Sequence, residues 1–284
     1  VPSAIVASEV WELPDQSRTP NHPLRLRHLR LHELTTGTCA VRDWRVVLAN
    51  ADCRIAYVVT GTGPSPLYRN AIGDECVFVE AGSGAVETVF GTVPYRPGDY
   101  VVVPRATTHR WVPAEPSRLY AIEVDSHLAP PKRYLSRYGQ LLEHAPYCER
   151  DLTGPAEPLL DEGRDVEVLV KHRTSAGVVG TRLVYDTHPF DVVGWDGCLY
   201  PYTLNIEDYQ PITGKVHQPP PVHQVFEARN LVICNFLPRK VDYHELAIPV
   251  PYYHSNVDSD EVMFYVAGDY EARKGSGIGL GSIS

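Results

Sequence analysis

Of its 284 residues the chain has a single methionine, and that one is not at the start, where Val1 stands; the natural N-terminus is therefore expected upstream of Val1. Its six cysteines (Cys39, Cys53, Cys76, Cys148, Cys198 and Cys234) are scattered and form no C-x-x-C pair. In a chain of this length that spacing excludes a disulfide framework and fits reduced thiols in a cytoplasmic protein. No apolar run approaches the roughly 20 residues that a membrane-spanning helix requires. The opening "VPSAIVASEV" has no charged region followed by an apolar one, so it does not read as a secretory signal. Lys and Arg form no cluster longer than a few residues, and the net charge is -9. Nucleic acid and anionic membrane surfaces are poor partners for such a chain, and a small diffusible partner suits it better. Helical periodicity is scarce too, and "PPKRYLSRYGQLLEH", Pro130 to His144, is the best candidate for a helix.

What the chain does have is strand signal. Its 25 prolines and 21 glycines punctuate short runs rich in Val, Ile, Tyr and Thr, such as "RIAYVVTGTG", "ECVFVEAGSGAVETVFG", "DYVVVP" and "EVMFYVAG". Strands of that length and spacing predict an all-β sandwich or barrel. "APYCERDLTGPAEPLLDEGRDVEVLVKHRTSAGVVG", Ala145 to Gly180, is acidic, proline-bearing and turn-rich, and reads as a crossing linker between two halves. The expected organisation is therefore an N-terminal domain over 1–144, a linker over 145–180 and a C-terminal domain over 181–284.

An internal repeat supports two halves. "LYRNAIGDECVFVEAG" (Leu67 to Gly82) lies over "YHSNVDSDEVMFYVAG" (Tyr253 to Gly268) without a gap. The alignment pairs Asn70 with Asn256, Glu75 with Glu261, Phe78 with Phe264 and Gly82 with Gly268. One difference carries chemistry: His254 in the second copy stands where Tyr68 stands in the first.

E-x6-G occurs at Glu75 to Gly82 and again at Glu261 to Gly268, and "GDYVVVPRATTH" ends on His109. These resemble the first and second cupin motifs, which implies a bicupin: mainly β, two jelly-roll barrels from one duplicated module, with few short helices. The first copy keeps Glu75 and His109 but has no histidine in its first motif, so its barrel is expected to be metal-free and structural. The strings "GWDGCLYPYTLNI", "VHQPPPVHQVF", "RKVDYHELAIPVPYYHSNVDSDEVMFYV" and "GDYEARKGSGIGLGSIS" narrow the likeness to the homogentisate 1,2-dioxygenase family of the bacterial kind, over nearly the whole chain.

That resemblance implies Fe(II) held by His254, Glu261 and a third histidine shortly after "GSIS", beyond Ser284; Asp260 stands beside Glu261 as an alternative. It implies a base at His217, with His223 as the competing candidate, and substrate contacts from Tyr252 and Tyr270. It implies ring cleavage of homogentisate by O2 to maleylacetoacetate, as in tyrosine and phenylalanine catabolism, and trimers paired into hexamers. The repeat points the same way for the third ligand, since His109 follows Glu75 by 34 residues and its counterpart falls near position 295. The chain is thus expected to be cut short at both ends.

Spacing adds a physical constraint. On one unbroken strand, side chains seven residues apart point to opposite faces, so His254 and Glu261 converge only if the strand breaks between them. Asn256, Asp258, Ser259 and Asp260 are the turn formers that would break it. Two histidines and one carboxylate, with positions left open, suit a non-haem Fe(II) oxygenase; zinc competes on ligand type alone. "GSGIGLGS" lacks the lysine of a phosphate loop and reads as a flexible loop. Two other functions stay open: a bicupin dioxygenase for a gentisate-like substrate, and a cupin storage or binding protein without catalysis.

Overall fold

The computed structural model describes residues 3–14, 17–194, 197–210, 223–237, 245–246, 255–268, 270 and 273–284. In chain order the strands begin with β1 (Ile5–Trp11), β2 (Leu29–Arg30), β3 (Arg45–Ala49), β4 (Cys53–Val59), β5 (Leu67–Asn70) and β6 (Glu75–Ala81). Next come β7 (Gly84–Thr88), β8 (Gly91–Tyr95), β9 (Asp99–Val103), β10 (His109–Pro113), β11 (Arg118–Val124) and β12 (Leu152–Thr153). The last are β13 (Val166–Thr174), β14 (Gly177–Tyr185), β15 (Tyr202–Asn205), β16 (Gln224–Ala228), β17 (Leu231–Cys234) and β18 (Ser282–Ile283). The fold is mainly β, a sandwich of two sheets, and helix among the described residues is limited to short 3-10 turns.

Fourteen of these strands form two seven-stranded sheets, β1-β14-β13-β5-β10-β7-β8 and β12-β15-β9-β6-β11-β4-β3. The layer between them is apolar at alternate positions: Val77 and Val79 of β6, Val101 and Val103 of β9, Leu119 and Ala121 of β11, facing Val86, Tyr95 and Trp111 of the other sheet. That two-residue period is what turns one side of each strand into core. The outer faces are covered as well. Phe190 and Tyr185 pack with Val168 and Val170 on one side. On the other, Tyr100, Tyr147 and Tyr202 gather around the Phe226 ring. Burial on both faces explains why several strands read as continuous apolar runs rather than alternating ones.

Two expectations need correction. Pro130 to His144 is not a helix: only Lys132–Tyr134 makes a 3-10 turn, Leu135 and Leu141 pair as an antiparallel bridge, and Gly139 at φ +84° reverses the chain between them. Two leading prolines and a left-handed glycine override the weak periodicity. Nor is 145–180 a linker. It contains β12, β13 and the start of β14, and β13 lies inside the first sheet, parallel to β5. "VEVLVKHRT" carries the β-branched content of a strand buried on both faces, which the surrounding acidic, proline-rich residues hide.

The chain divides into two compact units whose limits differ from the expected 1–144 and 181–284. The first comprises Val1–Gln16, Thr36–Gln210 and Gln224–Ile233 and holds the sandwich. The second includes Ser17–Thr35 and Cys234–Ser284. Within it β2 pairs with β18, and Leu31 N–H donates to the Gly281 carbonyl at 2.7 Å.

Candidate functional site

The repeat seen in sequence is also a repeat of structure. In the first copy, Asn70 Nδ2 donates to Glu75 Oε1 at 3.0 Å; in the second, Asn256 Nδ2 donates to Glu261 Oε2 at 3.1 Å. Each copy ends on a glycine with positive φ, Gly82 at 85° and Gly268 at 92°. The bend required between His254 and Glu261 is present at 257–259.

The likeness extends past the aligned strings. Gly98 N–H donates to the Val79 carbonyl, and Gly281 N–H donates to the carbonyl of Tyr265, the residue that the repeat equates with Val79. Phe78 pairs with Tyr100, and Phe264 pairs with Ile283. "GDYV" and "GSIS" therefore hold the same place in the two copies, 183 positions apart, although they share only their glycine. The expected strand over 261–266 is short: Met263 and Tyr265 exchange backbone hydrogen bonds with 281–284, and no longer ladder is described there.

In the first copy the three positions of interest converge. His109 of β10 is the cross-strand partner of Tyr68 on β5, with their rings 5.5 Å apart edge to face. Tyr68 Oη donates to Glu75 Oε1 at 3.4 Å, and His109 Nε2 lies 3.9 Å from Glu75 Oε2. Burial, aided by the Glu123 carboxylate, pushes the Glu75 carboxyl up to about 7. Burial alone holds His109 down at about 4, so this pair is not a salt bridge at neutral pH. Tyr68 is pushed well above its ordinary value by burial and by Glu75, and stays a phenol.

The other expected residues are placed as follows. His254, Tyr252 and His217 lie outside the described residues, and the third histidine would fall beyond Ser284. Glu261 is solvent-exposed and bonded to Asn256. Tyr270 accepts the Ala267 N–H at 2.9 Å and meets Tyr265 edge to face at 4.7 Å, which gives it a structural task whatever else it does. His223, the competing base, is buried with Phe236 packed against its ring at 4.9 Å. Among the described residues no three His, Cys, Asp or Glu side chains form a metal-binding group. Sequence reasoning missed Arg54, Glu123 and Lys171, which join Glu75 and His109 around one cavity in the first unit. The available signal was a lysine within the apolar strand "VEVLVKHRT".

The sequence over residues 35–206 matches the family described as Homogentisate 1,2-dioxygenase N-terminal. The chain belongs to that family. A putative dioxygenase of Saccharolobus solfataricus is 36% identical to this homogentisate 1,2-dioxygenase family member over 285 aligned residues, covering all of this chain and 72% of the relative. The homogentisate 1,2-dioxygenase of Nitrobacter hamburgensis is 28% identical over 238 residues, which is 80% of this chain and 51% of that protein. The chain thus spans about half the length of the homogentisate 1,2-dioxygenases it matches. Among solved structures, a cupin-2 domain protein from Shewanella frigidimarina aligns with 28% of this chain and 78% of its own, at 21% identity and a TM-score of 0.27.

Proposed function

We propose that the protein is an Fe(II)-dependent ring-cleaving dioxygenase that converts homogentisate and O2 to maleylacetoacetate. Family membership supports an aromatic-ring dioxygenase. The observation that carries the metal is the convergence of Tyr68, Glu75 and His109 in the first copy. Put the second copy's residues on that frame and Tyr68 becomes His254, Glu75 becomes Glu261, and His109 becomes a residue 183 positions on, eight past Ser284. A histidine there completes two imidazoles and one carboxylate, a donor set that suits Fe(II) and leaves positions open for two reactants. The repeated Asn256–Glu261 hydrogen bond favours Glu261 over Asp260, because it copies Asn70–Glu75.

When bound, iron supplies the means of bringing O2 and the ring together. The chain's own residues orient and deprotonate. His217, with His223 as the alternative, takes a proton from a ring hydroxyl, which raises the electron density of the ring. Tyr252 and Tyr270 contact the substrate's polar edge. Both oxygen atoms end in the product, so no further reductant is needed. The family resemblance adds a cytoplasmic trimer or hexamer. No helix of the described residues is long and apolar enough to cross a membrane.

The test is anaerobic Fe(II) reconstitution of the protein extended past Ser284, followed by homogentisate or gentisate and air. Oxygen uptake with maleylacetoacetate absorbance from homogentisate alone is the expected result. Uptake with gentisate instead reassigns the substrate, and an iron-loaded protein inert to both favours a binding role.

A further inference from the structure

The first unit contains a polar floor that the proposed reaction does not use. Arg54, Glu123 and Glu75 form one row across β4, β11 and β6, as direct cross-strand partners. Lys171 of β13 and His109 of β10 face that row from the other sheet, and all five line one cavity of about 60 Å³. Arg54 Nη1 donates to Glu123 Oε1 at 2.9 Å, and the Lys171 ammonium donates to Glu123 Oε2. One carboxylate thus answers two cations. Both cations keep further N–H groups, and Lys171 is only 8% exposed.

At the other side of the floor stands an acceptor. His109 Nδ1 lies 3.1 Å from the Thr107 carbonyl, which only accepts, so Nδ1 carries the hydrogen and Nε2 carries a lone pair. His109 is 1% exposed, and the Glu75 oxygen facing Nε2, at 3.9 Å, is too far for a hydrogen bond. The His109 lone pair and the remaining hydrogens of Arg54 and Lys171 thus offer one acceptor and several donors on the floor of a cavity whose walls are largely apolar, where a small ligand with both kinds of oxygen finds its partners.

We propose that this cavity binds a small carboxylate-type oxyanion of bicarbonate or acetate size, its oxygens accepting from Lys171 and Arg54, and that bicarbonate adds an O–H donated to His109 Nε2. A cavity of about 60 Å³ has room for an anion of that size beside the five polar side chains. A divalent cation is poorly served there: beside Lys171 and Arg54 it would find only the His109 imidazole and the Glu75 carboxyl, with the Tyr68 phenol where a second imidazole is needed. Three tryptophans, Trp11, Trp44 and Trp111, line the cavity and provide a reporter.

Glu75 gives the site a pH dependence. It faces Glu123 and Arg54 on its own sheet and Tyr68, Asn70, His109 and Lys171 on the other. As an acid it leaves the floor with one net positive charge; ionised, it repels a second anion. His109 and Tyr68 do not titrate between pH 6 and 8.

The experiment is tryptophan fluorescence of the chain titrated with sodium bicarbonate or sodium acetate, ionic strength held with chloride. Saturable binding is expected, with bicarbonate tighter than acetate at pH 7.5. Acetate affinity should fall toward tenfold per pH unit above about pH 7, the limit for one linked proton. Glu75→Gln should bind acetate with a flat pH profile, and Lys171→Met should lose at least about tenfold, the loss of one charged hydrogen bond. No saturable change up to about a hundredfold above millimolar affinity, a flat profile in the unsubstituted protein, or full affinity in folded Lys171→Met overturns the proposal. Because the pH profile uses the natural chain, the proposal stays testable even if a variant fails to fold.

Discussion

Replacing Glu75 by glutamine should make the protein more stable at pH 8 and change the shape of its stability curve. The folded carboxyl is pushed from its ordinary 4.5 up to about 7, first by burial and then by Glu123. Its side chain is 16% exposed, so solvent screens little of this effect. A shift of roughly 2.5 units at 1.36 kcal/mol each is worth about 3 kcal/mol. The sign follows from proton counting. Below pH 4.5 folded and unfolded chains both hold the proton, and the group favours neither. Between 4.5 and 7 the unfolded chain releases the proton while the folded one keeps it, so stability falls as pH rises. Above 7 the loss is complete. Glutamine does not titrate, so the variant escapes that loss. Urea unfolding followed by tryptophan fluorescence at pH 5, 6, 7 and 8 reads the difference directly. The gap between variant and parent should move by about 2.5 kcal/mol in favour of the variant from pH 5 to pH 8, part of the loss being already present at pH 5. All other titrating groups cancel in that double difference to the extent that they do not contact residue 75. A gap that stays constant with pH, or moves the other way, refutes the assignment of Glu75 as a buried acid.

Tyr68→His should give the first copy two imidazoles and a carboxylate, so that it takes up one equivalent of Co(II) with visible absorption bands, whereas Tyr68→Phe should not. In the extended protein, Glu261→Gln should lower iron occupancy at least about tenfold, the range seen when metal shells are disturbed, while Asp260→Asn should leave it unchanged; metal analysis decides between the two carboxylates. Gly73→Ala would place a Cβ 1.7 Å from the Val124 carbonyl oxygen, which is backbone and cannot swing aside. Thermal unfolding should therefore report a loss of about 3 kcal/mol, at the upper end of overpacking costs.

Much of this was legible from the chain, and the failures have physical reasons. The strands around Glu75 and the turn before Glu261 follow from β-branched runs and turn formers, which act locally. The repeat was legible because its Asn, Glu, Phe and Gly occupy positions fixed by a side-chain hydrogen bond, a cross-strand pair and a left-handed turn. Its continuation was not, because "GDYV" and "GSIS" are alike in backbone pairing while only glycine is needed for the geometry. β13 was misread because composition averages over a segment, and a nine-residue strand inside an acidic loop region vanishes in the average. Lys171 was overlooked because a lysine is ordinarily solvated, and only the sheet register shows it facing Glu123. Pro130 to His144 failed because apolar spacing says nothing about a glycine at φ +84°.

The pairing of β2 with β18 has a practical consequence for handling the molecule. Ser17–Thr35 lies near the start of the sequence but belongs with residues at its end, while Gln224–Ile233 belongs with the sandwich. The backbone therefore passes from one unit to the other at least three times, and no single scission yields two independent pieces. A fragment begun at residue 181 in search of a catalytic half would leave behind the strand that zips onto Ser282 and Ile283, and would carry away strands that the sandwich needs. Proteolytic nicking between 144 and 181 should likewise leave a particle that runs as one species until denatured. Work on either unit calls for the whole chain, or for a circularly permuted one.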